Sequence, residues 1–474
     1  MPPTSSPPFL RQIQTASPCN TIWSRISQDD FRQHLVTLEK QTNAVPMNVQ
    51  QSTKPECEEG QNEDKDVGFL SPRTEKQFAD DFAYIAAVTE GAQSVAAVCL
   101  EQYADTSYHP YTLVIRVAGM DVIDENVRNL LQIVVAQLQC PTQEPNNTET
   151  IFRSIIAQHT QKLLGRLRSR KWNKPKHLSR THKKPLWQDF ENLNHRAQHV
   201  YARKPERRGR DAIGASIQQI RKVYEGFEAS DTDARTEAQL EALQNLVKKT
   251  FTWCKSPLIG AYASKLEILG GDNPTRQVAA AIKTLRQLEK IGAYWRIAQD
   301  LVAVAANYKY IFRRIHVEYL TPFASIPTSI AYESWAQTCH VHAEIQLVVE
   351  LTKSVPPQSQ SGKIEMQWPR TIGTSKYLCY LCYLFLHYHG DFQMLSTHGR
   401  LYDQWTVPDL AEYSTDTRDK FSGVLERMDE HVVEQIKETE AVVWRAEPMT
   451  SRQNLLLPDD VHALNTGVDG LVLS

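Results

Sequence analysis

Hydrophobic positions divide the chain into two kinds of pattern. From "RTEKQFADDFAYIAAV" (73–88) onward, apolar residues recur three and four apart for most of the way to residue 304. That period places them on one face of successive helices, so a mainly helical region is predicted over 71–304. Within it Asn273-Pro274 reads as a helix start, and Val278, Ile282, Leu285, Leu288 and Ile291 line one face of the helix that follows. The only strand-like run in this region is "YTLVIRV", residues 111–117.

Beyond 305 the pattern alternates. "IHVEYLTPF" (315–323) and "KIEMQWPRTIG" (363–373) are rich in β-branched and aromatic residues and read as strands. "EIQLVVEL", "YLCYLFLHYH" and "DKFSGVLERMDEHVVEQI" read as helices, the last with Phe421, Val424, Leu425, Met428, Val432 and Ile436 at spacings of three and four. Alternating strands and helices over 305–445 predict an α/β layered domain with a mixed sheet.

Polar sequence flanks both regions. Residues 1–70, rich in Pro, Ser, Gln, Glu and Asn, are expected to be disordered apart from one amphipathic patch, "DDFRQHLVTLEK". Residues 446–474 read as a loose polar tail.

Composition narrows the classes. Across 474 residues, 53 Lys and Arg against 55 Asp and Glu leave a net charge of -2, which excludes a general polyanion binder. Charge is local instead. "KLLGRLRSRKWNKPKHLSRTHKK" (162–184) holds ten Lys or Arg and no acid, and "RKPERRGR" (203–210) adds a second basic cluster. The segment Lys162–Arg210 is a candidate nucleic-acid contact, with Trp172 and Trp187 as stacking groups, or a nuclear-import signal, or simply a solvated face. No apolar run approaches the ~20 residues that span a bilayer, and the N-terminus lacks a signal-peptide core. The expectation is an intracellular protein, cytoplasmic or nuclear, with no membrane association.

Candidate chemistry is concentrated in two stretches. "TCHVHAEIQLVVEL" (338–351) gathers Cys339, His340, His342 and Glu344, and "SKYLCYLCYLFL" (375–386) spaces Cys379 and Cys382 three apart. A Cys-x-x-Cys pair at a helix start puts two sulfurs on one face, where the helix dipole favours thiolates. Two thiolates and an imidazole are a zinc ligand set. A three-ligand zinc keeps a place for water and lowers its pKa from ~15.7 to about 7, giving a hydroxide nucleophile. Glu344, two residues from His342, is then placed to move the proton. Two other readings use the same residues: a closed structural zinc on Cys339, His342, Cys379 and Cys382, or core cysteines with no metal.

His342-Ala343-Glu344 followed by Cys379-x-x-Cys382 resembles the zinc signature of the cytidine-deaminase-like superfamily. The wider run, "HAEIQLV", "IGTSKYLCYLC" and "THGRLYDQW", resembles more narrowly a fungus-expanded group of predicted nucleotide and nucleic-acid deaminases of the OTT type. The resemblance covers roughly 335–415. It implies a deaminase-like α-β-α fold, Zn2+ on His342, Cys379 and Cys382, and Glu344 as proton shuttle. It also implies a nucleobase-containing substrate, and it marks Ser375, Lys376, His398 and Trp405 as recurring positions on the substrate side. The implied function is hydrolytic deamination of a nucleobase, free, in a nucleotide or within nucleic acid. The alternative is a deaminase-shaped binding module without catalysis. Leu378 stands where better-known deaminases carry proline, and the strand hairpin expected before the His-x-Glu helix is not evident in "IFRRIHVEYLTPFASIPTS".

Overall fold

The computed structural model describes residues 10–11, 13, 20–46, 69–89, 91, 94–105, 111–140, 144–174, 184–230, 237–271, 274–354, 364–393 and 396–439. In chain order the elements are α1 (Gln28–Thr42), α2 (Pro72–Ala86), β1 (Ala96–Asp105), β2 (Thr112–Gly119), α3 (Glu125–Leu138), α4 (Glu144–Leu167), α5 (Phe190–Val200), α6 (Arg207–Ala229), α7 (Glu237–Cys254), α8 (Pro257–Gly270) and α9 (Arg276–Asn307). They continue with β3 (Ile315–Tyr319), β4 (Ile326–Pro327), β5 (Thr338–Cys339), α10 (Ala343–Lys353), β6 (Ile364–Gln367), β7 (Gly373–Thr374), α11 (Tyr380–His389) and α12 (Thr415–Glu438).

Helix starts follow side-chain caps. Ser27, Ser71, Asp124 and Ser414 each accept a backbone N–H from the first turn of α1, α2, α3 and α12, which satisfies donors that no helical carbonyl can reach. The start of α9 falls later than Asn273-Pro274 suggests: the helix begins at Arg276, with Thr275 Oγ1 accepting from Val278 N at 3.4 Å. Asn273 lies outside the described residues.

The chain forms two compact units. One takes residues on both sides of the other, with 1–144 joined to 301–452; the second is built on Pro145–Asp300. The first unit carries the mixed sheet, in the order β3-β2-β1-β6, with β7 also on β1. β2 runs parallel to β3 and antiparallel to β1, and β1 runs antiparallel to β6 and β7. α2 packs on β1 and β7 while α10 packs on β1 and β2. Ala97, Cys99 and Ala118 from the central strands join α10, α11 and α12 in one apolar core. This is the expected α-β-α layering.

Two expectations are corrected here. Residues 71–304 are mainly helical except at the hairpin β1–β2, which supplies the two central strands. The sequence "AAVCLEQYAD" reads as helix because Ala, Leu, Glu and Gln favour it locally. Pairing with three other strands overrides that preference. The hairpin sought in 311–329 is therefore β1–β2, far upstream, and the whole of 145–300 is inserted after it.

The second correction concerns the N-terminus. Within 1–70, α1 is an ordered helix whose Phe31, Leu35 and Leu38 are buried in the same core, against α12. The remainder of 1–70 falls largely outside the described residues, as does the predicted tail 446–474.

Among the described residues, the second unit has helices and no strand. α5, α6, α7 and α8 pack on one another, and the predicted stripe Val278, Ile282, Leu285, Leu288 and Ile291 of α9 is buried. Among the described residues, no helix is long and apolar enough to cross a membrane.

Candidate metal centre

Two helix starts converge on one place. His342 is the N-cap of α10 and Cys379 the N-cap of α11, both with extended backbone that turns into the helix at the next residue. The Cys379 sulfur accepts from Cys382 N at 3.3 Å, so it caps its own helix. The free N–H groups and the dipoles of both helices therefore favour negative charge at this point.

His342 Nδ1 lies 3.5 Å from Cys379 Sγ and 3.4 Å from Cys382 Sγ. The three ligand atoms lie within 4.8 Å of one another. Zinc bonds of about 2.3 Å to sulfur and about 2.0 Å to nitrogen, at the tetrahedral angle, separate S and N by about 3.5 Å. The donor set and these two edges fit zinc.

Electrostatics at the cluster follow from burial and neighbours. Burial pushes the Cys379 thiol up, but hydrogen bonding from Cys382 and the adjacent His342 charge outweigh it and hold it well below the usual thiol range. Cys382 is pushed well up, first by burial and then by Cys379. Glu344, on the first turn of α10, is 4% exposed, and its Oε2 lies 3.8 Å from Cys382 Sγ. Burial raises its carboxyl, partly offset by His342. Burial that disfavours the charged carboxylate makes it a readier proton acceptor.

The other singled-out residues divide. His398 is buried beside the cluster, and its Nδ1 accepts from Arg400 N at 3.1 Å, which leaves Nε2 to carry the ring proton. Burial lowers its imidazole to about 4, so the ring is neutral at physiological pH. The Tyr402 ring lies near both imidazoles, 6.1 Å from His398 and 6.3 Å from His342 by ring centres. Trp405 is core, packed on Phe31 and Phe385. Its indole N–H has no ordinary hydrogen-bond partner but bears on the Cys382 sulfur and favours the thiolate there.

Ser375 and Lys376 are tied to the β1 side of the sheet. Ser375 Oγ accepts from Ala96 N at 3.1 Å, and Lys376 Nζ donates to Gly91 O at 2.7 Å. His340 is half-buried, with Nε2 3.2 Å from Thr338 Oγ1.

Cys339 does not join the cluster. Its sulfur accepts from the buried guanidinium of Arg32, whose Nη1 also lies 3.4 Å from Asp403 O. Arg32 was not a candidate on sequence grounds; the one hint was its place in the amphipathic patch now seen as α1. Gly373 likewise carries no signal in the sequence. The backbone of Ala79 in α2 comes so close that a Cβ at Gly373 would lie 2.1 Å from the Ala79 carbonyl carbon. The neighbouring Thr374 N donates to Asp80 Oδ1 at 2.9 Å. The glycine lets α2 sit on the strand that leads to Cys379.

In the basic segment, Lys184 pairs with Asp189 at 2.8 Å, Arg168 pairs with the same carboxylate, and Arg210 lies 3.4 Å from Asp211. Lys171 Nζ donates to Phe227 O at 2.8 Å, and Trp187 is covered by Arg221, whose guanidinium carbon is 5.1 Å from the ring centre. Residues 175–183 lie outside the described residues.

Residues 341–409 match the family model described as "OTT_1508_deam:-like deaminase". The match spans all three cluster residues, Glu344, Tyr402 and Trp405, and the C-terminal part of the first unit is deaminase-like. Neither curated proteins nor solved structures gave a match.

Proposed function

We propose that the protein is a zinc-dependent hydrolytic deaminase acting on a nucleobase. The single observation that carries this reading is the buried Glu344 carboxyl 3.8 Å from Cys382, one of three side chains whose spacing fits a tetrahedral zinc. His342, Cys379 and Cys382 would hold the metal. Zinc in that place supplies a water activated at neutral pH and a cation that polarises the atom under attack.

The chain's own groups do the rest. The N-termini of α10 and α11 stabilise the thiolates. Glu344 takes the proton of the attacking water and delivers it to the leaving nitrogen, so water and a ring C–NH2 become a ring C=O and ammonia. His398, neutral and donating through Nε2, and the Tyr402 ring border the cluster and would orient the planar substrate. The Arg32 contact of Cys339 speaks against a fourth sulfur ligand and leaves Glu344 a task that a closed structural site would not give it.

The test is Glu344→Gln, which keeps size but cannot accept the proton. Zinc content should stay at about one per chain, while ammonia release falls by ~10²–10⁴-fold. The substrates to screen are cytosine, adenine and guanine as free bases, nucleosides, nucleotides and single strands. Equal rates for wild type and variant would end the mechanism.

A further inference from the structure

Outside the basic segment Lys162–Arg210, exposed basic side chains also gather beside the sheet. "YKYIFRRIH", residues 308–316, leads into β3, the edge strand of the sheet. Lys309, Tyr310, Arg313, Arg314 and His316 are all exposed. Tyr310 is 63% exposed, an unusual position for a large aromatic ring.

Two contacts hold that ring in place. The Arg313 guanidinium carbon lies 5.1 Å from its centre, and the Tyr111 ring lies 6.3 Å away at 48°. The turn is fixed by Ile311 N donating to Tyr308 O at 3.0 Å and Leu113 N to Arg314 O at 2.8 Å. None of Lys309, Arg313 and Arg314 forms an ion pair among the described residues. Beside them an open cavity of about 360 Å³ is lined by Gln139, Arg314, Ile315 and His316. By contrast, no exposed large aromatic lies in the described part of the basic segment.

We propose that this surface binds single-stranded nucleic acid. The three unpaired cations would meet phosphates, the exposed Tyr310 face would take a base, and the cavity is large enough for a further planar group. An acidic peptide would use the cations but has no need of the open ring face. A duplex keeps its base faces stacked and offers none to Tyr310. The surface does not depend on the chemistry at His342, Cys379 and Cys382, and its test reads binding rather than ammonia release, so either reading can fail alone.

The experiment is a salt titration of full-length protein with labelled single strands of about 12 nucleotides, as DNA and as RNA. Wild type should bind with affinity falling steeply as salt rises. Lys309→Ala, Arg313→Ala and Arg314→Ala combined should weaken binding and flatten the log–log slope by about 2. Tyr310→Ala should weaken it about tenfold with a nearly unchanged slope, the mark of lost stacking. All four positions are exposed, and unchanged melting temperatures would show that folding is intact.

The proposal is overturned if wild type does not bind. It is also overturned if Tyr310→Ala binds as wild type does while heparin competes fully, which would point to an acidic protein partner. Loss of binding with Arg203→Ala, Lys204→Ala and Arg208→Ala, but not with the triple variant above, would return the contact to the basic segment.

Discussion

Arg32 donates a hydrogen bond to the sulfur of Cys339 across 307 positions of sequence. That contact turns one of the four candidate sulfur and imidazole ligands away from the cluster. Cys339→Ala should therefore retain about one zinc per chain by elemental analysis, while unfolding free energy drops by about 1–3 kcal/mol because the buried guanidinium loses an acceptor. Cys379→Ala should lose the metal. Zinc lost from both variants alike would restore Cys339 as a ligand.

Gly373 and Gly390 make a matched pair of tests. An added methyl at Gly373 meets Ala79 backbone, and at Gly390 it meets nothing within 4 Å but sits at φ +81°. Gly373→Ala should cost ~3 kcal/mol or more in urea unfolding and broaden the metal site, since the helix cannot yield without moving. Gly390→Ala should cost only about 1 kcal/mol, the strain of a left-handed helix cap. Equal losses would mean that α2 is not pressed on the strand at Gly373.

Glu39 supplies a pH dependence. Burial first, then the nearby Asp403 charge, raises its carboxyl from 4.5 to about 8. Its folded pKa lies above its unfolded one, so the folded state binds the extra proton. Stability is then full below about pH 4.5 and declines as pH rises towards 8, by up to about 1.4 kcal/mol per pH unit in that window. Glu39→Gln should remove this decline. Thermal melts at pH 5 and pH 8 should show the variant gaining on wild type at the higher value; parallel curves would refute it.

Residues 305–445 expressed alone should neither fold nor hold zinc stoichiometrically. β6 and β7 pair with β1, and β3 pairs with β2, so the fragment would keep its strands but lose every long partner they have. Circular dichroism and zinc content of the fragment decide the matter. A folded, zinc-loaded fragment would mean that the hairpin is dispensable.

What could be read from sequence tracks how local each cause is. α11 and the buried faces of α9 and α12 were legible because three- and four-residue periodicity is a local property. The His342, Cys379 and Cys382 cluster was legible because both stretches lie at helix starts, where spacing fixes direction. β1 was not legible. Its Ala, Leu, Glu and Gln residues favour helix, and what makes it a strand is β2, β6 and β7, two of which lie more than two hundred residues away. Arg32 was hidden for the same reason: the amphipathic patch marks its helix, but tertiary packing alone sets its partner.

The split sheet also sets a timetable for synthesis. After Gly119 leaves the ribosome, both edges of the β1–β2 ribbon stay unsatisfied until Ile315 and then Ile364 emerge to pair with them. At about 5–20 residues per second the first of those waits is roughly 10–40 s, far longer than a hairpin or a helix takes to form. During that interval the nascent chain presents two bare strand edges with apolar faces on either side, the surface that chaperones bind and that aggregation exploits.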